Sequence, residues 1–437
     1  MSKSKLKTLA LLSAMPVIFT ACTLQELPVI GGLFGPGAPD PVELTMWGLW
    51  ENETTIGPVF SEYQTTSPHV SFKYEDMSVL KLDHLVEYKK RVFSRMEQST
   101  WDADVVLVHN SWLPRLIGAG FLSPMPLELL TPQRYSDVFY PAAAESGVDT
   151  GQIYGVPAYY DGLALVYNKD HFEEIGQLTP PTAWEEFRRI AIDLTILSEE
   201  ENEPEVIRAG AAVGAADNVA HFSDILGLMW SQAGVRIPDD MDSIPAQDAL
   251  SFYVSLMKDH NVWRNDFPEA TTAFVNEQVS MIFVPSWQLI DILESAPGLN
   301  IGVAPVPQAL ADNPVSWGSF WMYVVPNNSD SPASAWNFIN FASSETGEKS
   351  LYSSASKERP FGAAHALTTL AQELSNHEYL GAYVQTAPYA QSAEIAGRSG
   401  NRVQEDELLK AVNSMLLEKK PLTAAEALSA AKEAIDF

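Results

Sequence analysis

With 437 residues, 46% of them apolar and including 11 Trp, 19 Phe and 15 Tyr, the chain is long enough for about two to three domains and too rich in core-forming side chains for global disorder. A formal net charge of −29 disfavours nucleic acid, which rewards basic surfaces, and adsorption to anionic lipid; it reads as a well-solvated acidic surface, with adaptation to a salty or otherwise unusual milieu as the alternative. The single cysteine, Cys22, excludes an intramolecular disulfide and a cysteine-based zinc site, and no HExxH spacing occurs.

Lys3, Lys5 and Lys7 open the chain, and a short apolar run from Leu9 to Thr20 follows, interrupted by small residues and Pro16. The run is shorter than the roughly 20 residues a membrane-spanning helix needs, so residues 1–21 read as a signal peptide. Its removal takes away three lysines and no acid, which leaves the mature chain more negative still. Phe19-Thr20-Ala21-Cys22 resembles the bacterial lipobox, with Phe19 where Leu is usual. That resemblance implies cleavage before Cys22, a lipid on its sulfur, and a protein anchored to a membrane without spanning it. The plainer alternative is an ordinary cleavage site with an incidental cysteine. Residues 22–41 hold Pro28, Gly31, Gly32, Gly35, Pro36, Gly37, Pro39 and Pro41 and read as a flexible tether.

The body begins with alternation from Val42 to Trp47, the pattern of a first strand. Val70–Tyr74 reads as a second strand. Leu82 to Met96 has helical spacing, with Leu85, Tyr88, Val92 and Met96 on one side. Asp104–Val108 is a continuous apolar run of the kind found in strands buried on both faces. Strand, helix, strand in this order predicts an α/β lobe. Farther on, Thr182 and Glu185 have the spacing of a capping box ahead of Trp184, Phe187, Ile190 and Ala191. The acidic run 199–205 reads as a solvated loop. Met281–Val284 and Phe320–Val325 read as short buried strands. Ser331-Pro332 starts a helix carrying Ala335, Phe338, Ile339 and Ala342. Thr423 and Glu426 cap a last helix with Ala427, Leu428, Ala431 and Ile435. No internal repeat and no later membrane-spanning segment is evident.

Thr45-Met46-Trp47-Gly48, then Trp101 to Val106 with Gly120-Phe121-Leu122-Ser123-Pro124, and further segments after them resemble, in this order, the extracellular solute-binding proteins of the sugar-binding type, the maltose-binding-protein relatives that serve ABC importers. The most specific is the ordered triple Gly151-Gln152-Ile153-Tyr154-Gly155-Val156-Pro157, Leu165 to Asp170 and Pro181 to Glu186. Ala273-Phe274, Val279-Ser280-Met281, Gly302 to Pro307 and Ala335 to Phe338 extend the resemblance over nearly all of residues 42–437. The resemblance implies an α/β, two-lobed periplasmic-binding-protein fold of type II, with discontinuous lobes at about 42–156 plus 305–350 and 157–304 plus 351–437. It implies a ligand cleft between the lobes, closed by hinge motion. It further implies no cofactor, a monomer, an ABC importer permease as partner, and a place on the extracytoplasmic face of the cell membrane or the periplasmic side of the envelope.

A sugar offers apolar C–H faces and a ring of hydroxyls, so its site wants flat aromatic platforms and a few fixed polar groups. Loops after strands supply such residues here. Trp47, Trp50 and Glu51 follow the first strand, and Asn110 and Trp112 the third. Tyr159, Tyr160 and Asp161 follow the Gly-Val-Pro turn, and Trp287 follows the 281–284 strand. The resemblance adds Trp317, Gly318 and Ser319, and Arg359 and Phe361 near a later loop. For each aromatic the bland alternative is core packing, and for Arg359 a surface ion pair. Trp230 and Trp263 read equally well as core. Gly155 and Pro157 read as shaping a turn.

Three other functions remain on this reading. Aromatics beside carboxylates also suit a polyamine or another cation. Adjacent Tyr159 and Tyr160 raise ferric iron, bound by such a pair in the wider superfamily but elsewhere in the chain. Glu51 and Asp161 raise a glycosidase, which needs two carboxyls about 5–10 Å apart. No nucleophile elbow, metal motif or phosphate loop accompanies them, and a non-enzymatic binder is the expectation.

Overall fold

A computed structural model describes residues 39–79, 84–98, 102–199, 205–395, 397 and 399–435. The signal peptide, Cys22, the tether as far as residue 38 and residues 200–204 of the acidic run lie outside them.

The first strand, Val42–Gly48, forms as expected and buries Leu44, Met46 and Trp47. It sits between two parallel neighbours, Val70–Asp76 and Val105–His109. Every residue of Val105–His109 is buried, as a strand covered on both faces requires. Helix Glu53–Thr66 starts on Asn52, whose Oδ1 accepts the N–H groups of Thr54 and Thr55 at 2.8 and 3.1 Å. Helix His84–Glu97 buries Leu85, Tyr88, Val92 and Met96, the side its spacing predicts. Tyr88 donates from its hydroxyl to the Leu107 carbonyl at 2.7 Å and ties that helix to the third strand.

The long strand Val156–Asn168 changes partners midway. Val156–Gly162 pairs antiparallel with Ser316–Val324, which pairs on its other edge with Val105–His109. From Leu163 onward the same strand pairs with Met281–Pro285 and Ile301–Ala304 instead. Two sheet regions thus share one continuous strand, and the exchange falls between Gly162 and Leu163. Pro157 has no N–H for the ladder, and the pairing adapts by a bulge: Trp321 faces Tyr159 and Met322 faces Pro157, so Ala158 has no opposite number.

Helices Pro332–Ala342 and Glu345–Ala355 return to pack on Glu53–Thr66, beside the first sheet region. Helices Arg402–Met415 and Ala424–Ala434 pack on each other and on Phe222–Gln232 and Ile244–Lys258. The result is a mixed α/β, two-lobed fold. The last helix carries the complete Thr423–Glu426 capping box. The Thr182 box forms differently. Helix Trp184–Leu194 is capped by Ala183 without a side-chain bond, and Thr182, one residue farther out, gives its N–H and hydroxyl to Glu186 at 2.9 and 3.3 Å. Glu185 bonds Arg188 instead. Trp230 and Trp263 are core, with their N–H groups on the Ala246 carbonyl and the Asn218 side chain.

Candidate functional site

A cavity of about 330 Å³ opens where the long strand exchanges partners, a volume at the lower end of small-molecule sites. Its first wall is built at the ends of the first sheet region. The chain leaves Val42–Gly48 and reaches Asn52 through Trp50, which sits at φ 64°, a left-handed conformation that a bulky residue rarely adopts. The indole packs edge-on against Trp321 with ring centroids 4.8 Å apart. Glu51, only 6% exposed, accepts from Arg359 Nη2 at 2.9 Å through Oε1. Its Oε2 is buried with no hydrogen-bond partner among the described residues. Arg359 also donates from Nε to the Phe361 carbonyl at 3.3 Å, which holds the guanidinium at the wall. His109, at the end of the third strand, lines the same wall and packs edge-on to Trp321. Burial pushes its imidazole down to about 3, so the ring is neutral.

The second wall comes from the other sheet region. Trp287 is the second residue of helix Ser286–Ser295, whose Asp291 and Glu294 line the cavity farther along. Asp161, on the long strand, accepts the N–H groups of Gly162 and Ser286 at 2.9 Å each, placing a carboxylate at that helix's positive end. His221 packs edge-on to Trp287 with ring centroids 5.9 Å apart. Its Nδ1 meets Asp224 at 3.0 Å and its Nε2 meets the Gln288 side-chain oxygen. Burial alone would lower this imidazole's pKa, but Asp224's hydrogen bond and charge, with Gln288, outweigh it and hold the value above ordinary. Asp224 also accepts from Trp317 Nε1 at 2.7 Å and from the Gly397 N–H at 2.8 Å.

Of the residues expected from sequence, Trp50, Glu51, Tyr159, Tyr160, Asp161, Trp287, Trp317, Gly318, Ser319, Arg359 and Phe361 line this cavity. Trp317–Ser319 and Tyr159–Asp161 do so from within strands and not from loops: the strand read as Phe320–Val325 starts at Ser316, and Tyr159–Asp161 lie inside Val156–Asn168. Trp317 is 2% exposed, with its ring over Gly227, where a Cβ would come within 2.5 Å of the indole. Gly318 is required by Tyr160, whose ring would lie 2.6 Å from an added Cβ.

Trp47, Asn110 and Trp112 are not brought to the cavity. Trp47 is 1% exposed inside the central strand. Asn110 is spent on structure, accepting from Phe320 N and donating to Ser392 Oγ, both at 3.2 Å. Trp112 gives its N–H to the Ser399 carbonyl at 2.7 Å and stands behind Trp321 as a second layer. The lining residues that sequence reasoning missed include His109, His221, Asp224 and Trp321. Trp321 was signalled by its period-2 spacing from Trp317 and Ser319; an isolated histidine carries no such signal.

The alternation of a strand sends Tyr159 and Tyr160 to opposite faces, so the pair cannot close on one iron. Among the described residues no cluster of His, Cys, Asp or Glu is arranged to hold a metal ion. Glu51 and Asp161 are committed to Arg359 and to two backbone N–H groups, respectively.

Two α/β sheet regions joined through a shared strand, with a cavity at the junction walled by both, define a two-lobed binding protein. The chain belongs to the bacterial extracellular solute-binding protein family, which its residues 90–384 match. A protein of Brucella abortus named as a binding protein is 23% identical over 306 residues, 67% of this chain and 70% of that one. Solved structures share the fold, two of them as follows. One is an ABC transporter solute-binding protein of Thermotoga lettingae bound with α-D-tagatose, at 21% identity and TM-score 0.66, covering 90% of this chain and 98% of that one. The other is the sugar-binding protein MalE of Xanthomonas citri, at 15% identity and TM-score 0.71, covering 90% and 95%. No helix of the described residues is long and apolar enough to cross a membrane.

Proposed function

We propose that the cavity captures a small carbohydrate, a mono- or oligosaccharide, and that the chain delivers it as a monomeric lipoprotein to the permease of an ABC importer. The observation that carries the sugar reading is the first wall. Trp50 and Trp321 supply aromatic surface there, while buried Glu51 Oε2 and His109 Nε2 have no protein partner among the described residues. An unpartnered buried polar atom costs about 1–3 kcal/mol, which a ligand hydroxyl relieves. Trp287 adds a second platform opposite. The sugar-bound Thermotoga protein of like fold supports the same reading.

A cationic solute is the alternative that one observation favours: Asp161, Asp291 and Glu294 stand near Trp287, against a single arginine already paired to Glu51. Calorimetry of the mature chain with tagatose, mannobiose, maltose and spermidine decides between them. Saturable sugar binding that is nearly independent of salt supports the carbohydrate; binding of spermidine alone, weakened steeply by salt, overturns it.

The lobes are proposed at about 42–156 plus 305–350 and 157–304 plus 351–437. The partner exchange near Gly162 supports a division on the long strand, a few residues after Pro157. In the proposed cycle the open form predominates without ligand, and a sugar that touches both walls only when they approach shifts the population to the closed form. Lipid on Cys22 and the 22–41 tether would keep this body at the extracytoplasmic face of the membrane. Replacing Cys22 by Ala should release the protein from the membrane fraction; continued retention would sink the anchor.

A further inference from the structure

We propose that His109 presents its Nε2–H to the ligand as a fixed, neutral hydrogen-bond donor, and that Ser111 behind the ring sets this tautomer. The inference deepens the carbohydrate reading and, for the ligand's identity, rests on it.

The tautomer follows from groups that can only donate or only accept. The backbone N–H of Ser111 meets His109 Nδ1 at 3.3 Å, and a backbone N–H is a donor and nothing else. Nδ1 is therefore the acceptor, and the ring proton lies on Nε2. The hydroxyl of Ser111, 2.8 Å from Nδ1, donates to it as well. That hydroxyl's lone pair is taken by Asn401, whose Nδ2 donates to Ser111 Oγ at 3.0 Å and to the Glu394 carbonyl at 2.6 Å. The Asn401 amide cannot be turned round, because its Oδ1 receives the ammonium of Lys89 and its Nδ2 faces a carbonyl. Lys89 to Asn401 to Ser111 to His109 is thus a single polarised series, each link fixed by an obligate donor or acceptor. It ends at an Nε2–H that is 99% buried by residue, lines the cavity and has no partner among the described residues.

Such a donor selects by chemistry. It rewards a ligand oxygen with a lone pair, either a hydroxyl or a ring oxygen, and gives nothing to an ammonium, which has no lone pair to offer. Glu51 Oε2 on the same wall accepts only. One fixed donor and one fixed acceptor are what a polyhydroxylated neutral ligand satisfies and a polyamine does not.

The first measurement needs no ligand. In mature chain labelled with ¹⁵N-histidine at about neutral pH, the resonances lost in His109→Gln identify His109 among the eight histidines. Nε2 should show the shift of a protonated ring nitrogen and Nδ1 that of an unprotonated one; the reverse overturns the proposal. Ser111→Ala loses the hydroxyl donor but keeps the backbone N–H, so the Nε2-protonated form should remain the major one with a larger share of the other tautomer, and Ser111→Thr should restore the parent pattern, a readout that a merely structural role would not move. The second measurement uses the sugar of the panel above that the parent binds. His109→Phe should weaken its Kd at least about tenfold, while His109→Gln, which keeps an N–H near the Nε2 position, stays within a few-fold. Parent-like affinity in His109→Phe overturns the proposal. If no sugar binds the parent, the carbohydrate reading fails by itself, and the tautomer measurement still decides the donor.

Discussion

The two walls of the cavity are built from similar residues and end in opposite states. On the second wall the polar groups close on one another: Asp224 holds His221, and His221 reaches Gln288, which donates to Thr271 at 2.6 Å, while Trp317 donates to Asp224 from the first sheet region. On the first wall Glu51 and His109 both line the cavity, and each is held firmly through one side-chain atom while the other has no partner among the described residues. A closed network gives a rigid surface on which an aromatic platform such as Trp287 can stand. An open one offers polar atoms that a ligand hydroxyl can satisfy. Both histidines are fully enclosed, yet burial wins at His109 and Asp224 wins at His221.

The sharpest way to break this contrast is to unpair the first wall. Arg359→Ala leaves Glu51 buried and unneutralised and should cost about 3 kcal/mol in denaturant-measured stability. A loss under about 1 kcal/mol would mean that Glu51 protonates or reaches water there instead. Next in size, Trp287→Ala should weaken sugar binding by about 2 kcal/mol, roughly thirtyfold, with little change in the thermal midpoint of the ligand-free protein. Equal calorimetric affinity in variant and parent would remove Trp287 from the site. Gly318→Ala should cost about 1–2 kcal/mol of stability, because its Cβ meets the Tyr160 ring at 2.6 Å. A stable variant with lost binding would instead make Gly318 a ligand-facing position.

The remaining contrast is the dependence on pH, and the two histidines should give it opposite signs. His109 is neutral when folded, while the unfolded ring takes up a proton below about 6.5. Its contribution to stability is therefore present above about pH 6.5 and is lost progressively as pH falls toward 3. His221 is raised, so its contribution is full below about pH 6.5 and is lost as pH rises through the higher folded value. Denaturant titrations from about pH 4 to about pH 9 on the parent, His109→Gln and His221→Gln check this, since each variant should flatten only its own side of the profile. Both variants flattening the same side would contradict the assignment.

Much of the scaffold was legible in the chain. The helix His84–Glu97 buries the four residues its spacing predicts, and the Thr423–Glu426 box caps the last helix. Periodicity reports such features because it reflects which face is dry. It failed where context intervened: Thr182 caps through Glu186 because the helix begins one residue later than its motif suggests. Trp47 and Trp112 share the composition of a sugar platform with Trp50, yet only the geometry of the strand ends separates core from cavity.

By itself the sequence determined the strands and helices of an α/β chain and most of the aromatic and acidic side chains that meet at the cavity, because those follow from local pattern and from an ordered set of motifs. Only the tertiary structure decided which of them face the cavity and in what state. His109 becomes a neutral donor through Ser111, Asn401 and Lys89, and His221 becomes the better proton holder through Asp224 and Gln288. Asn401 lies nearly 300 residues from His109, as the 290-residue separation of its bond to Ser111 shows. No local pattern encodes a charge state set at such distance, because it depends on burial and on partners that folding alone brings together.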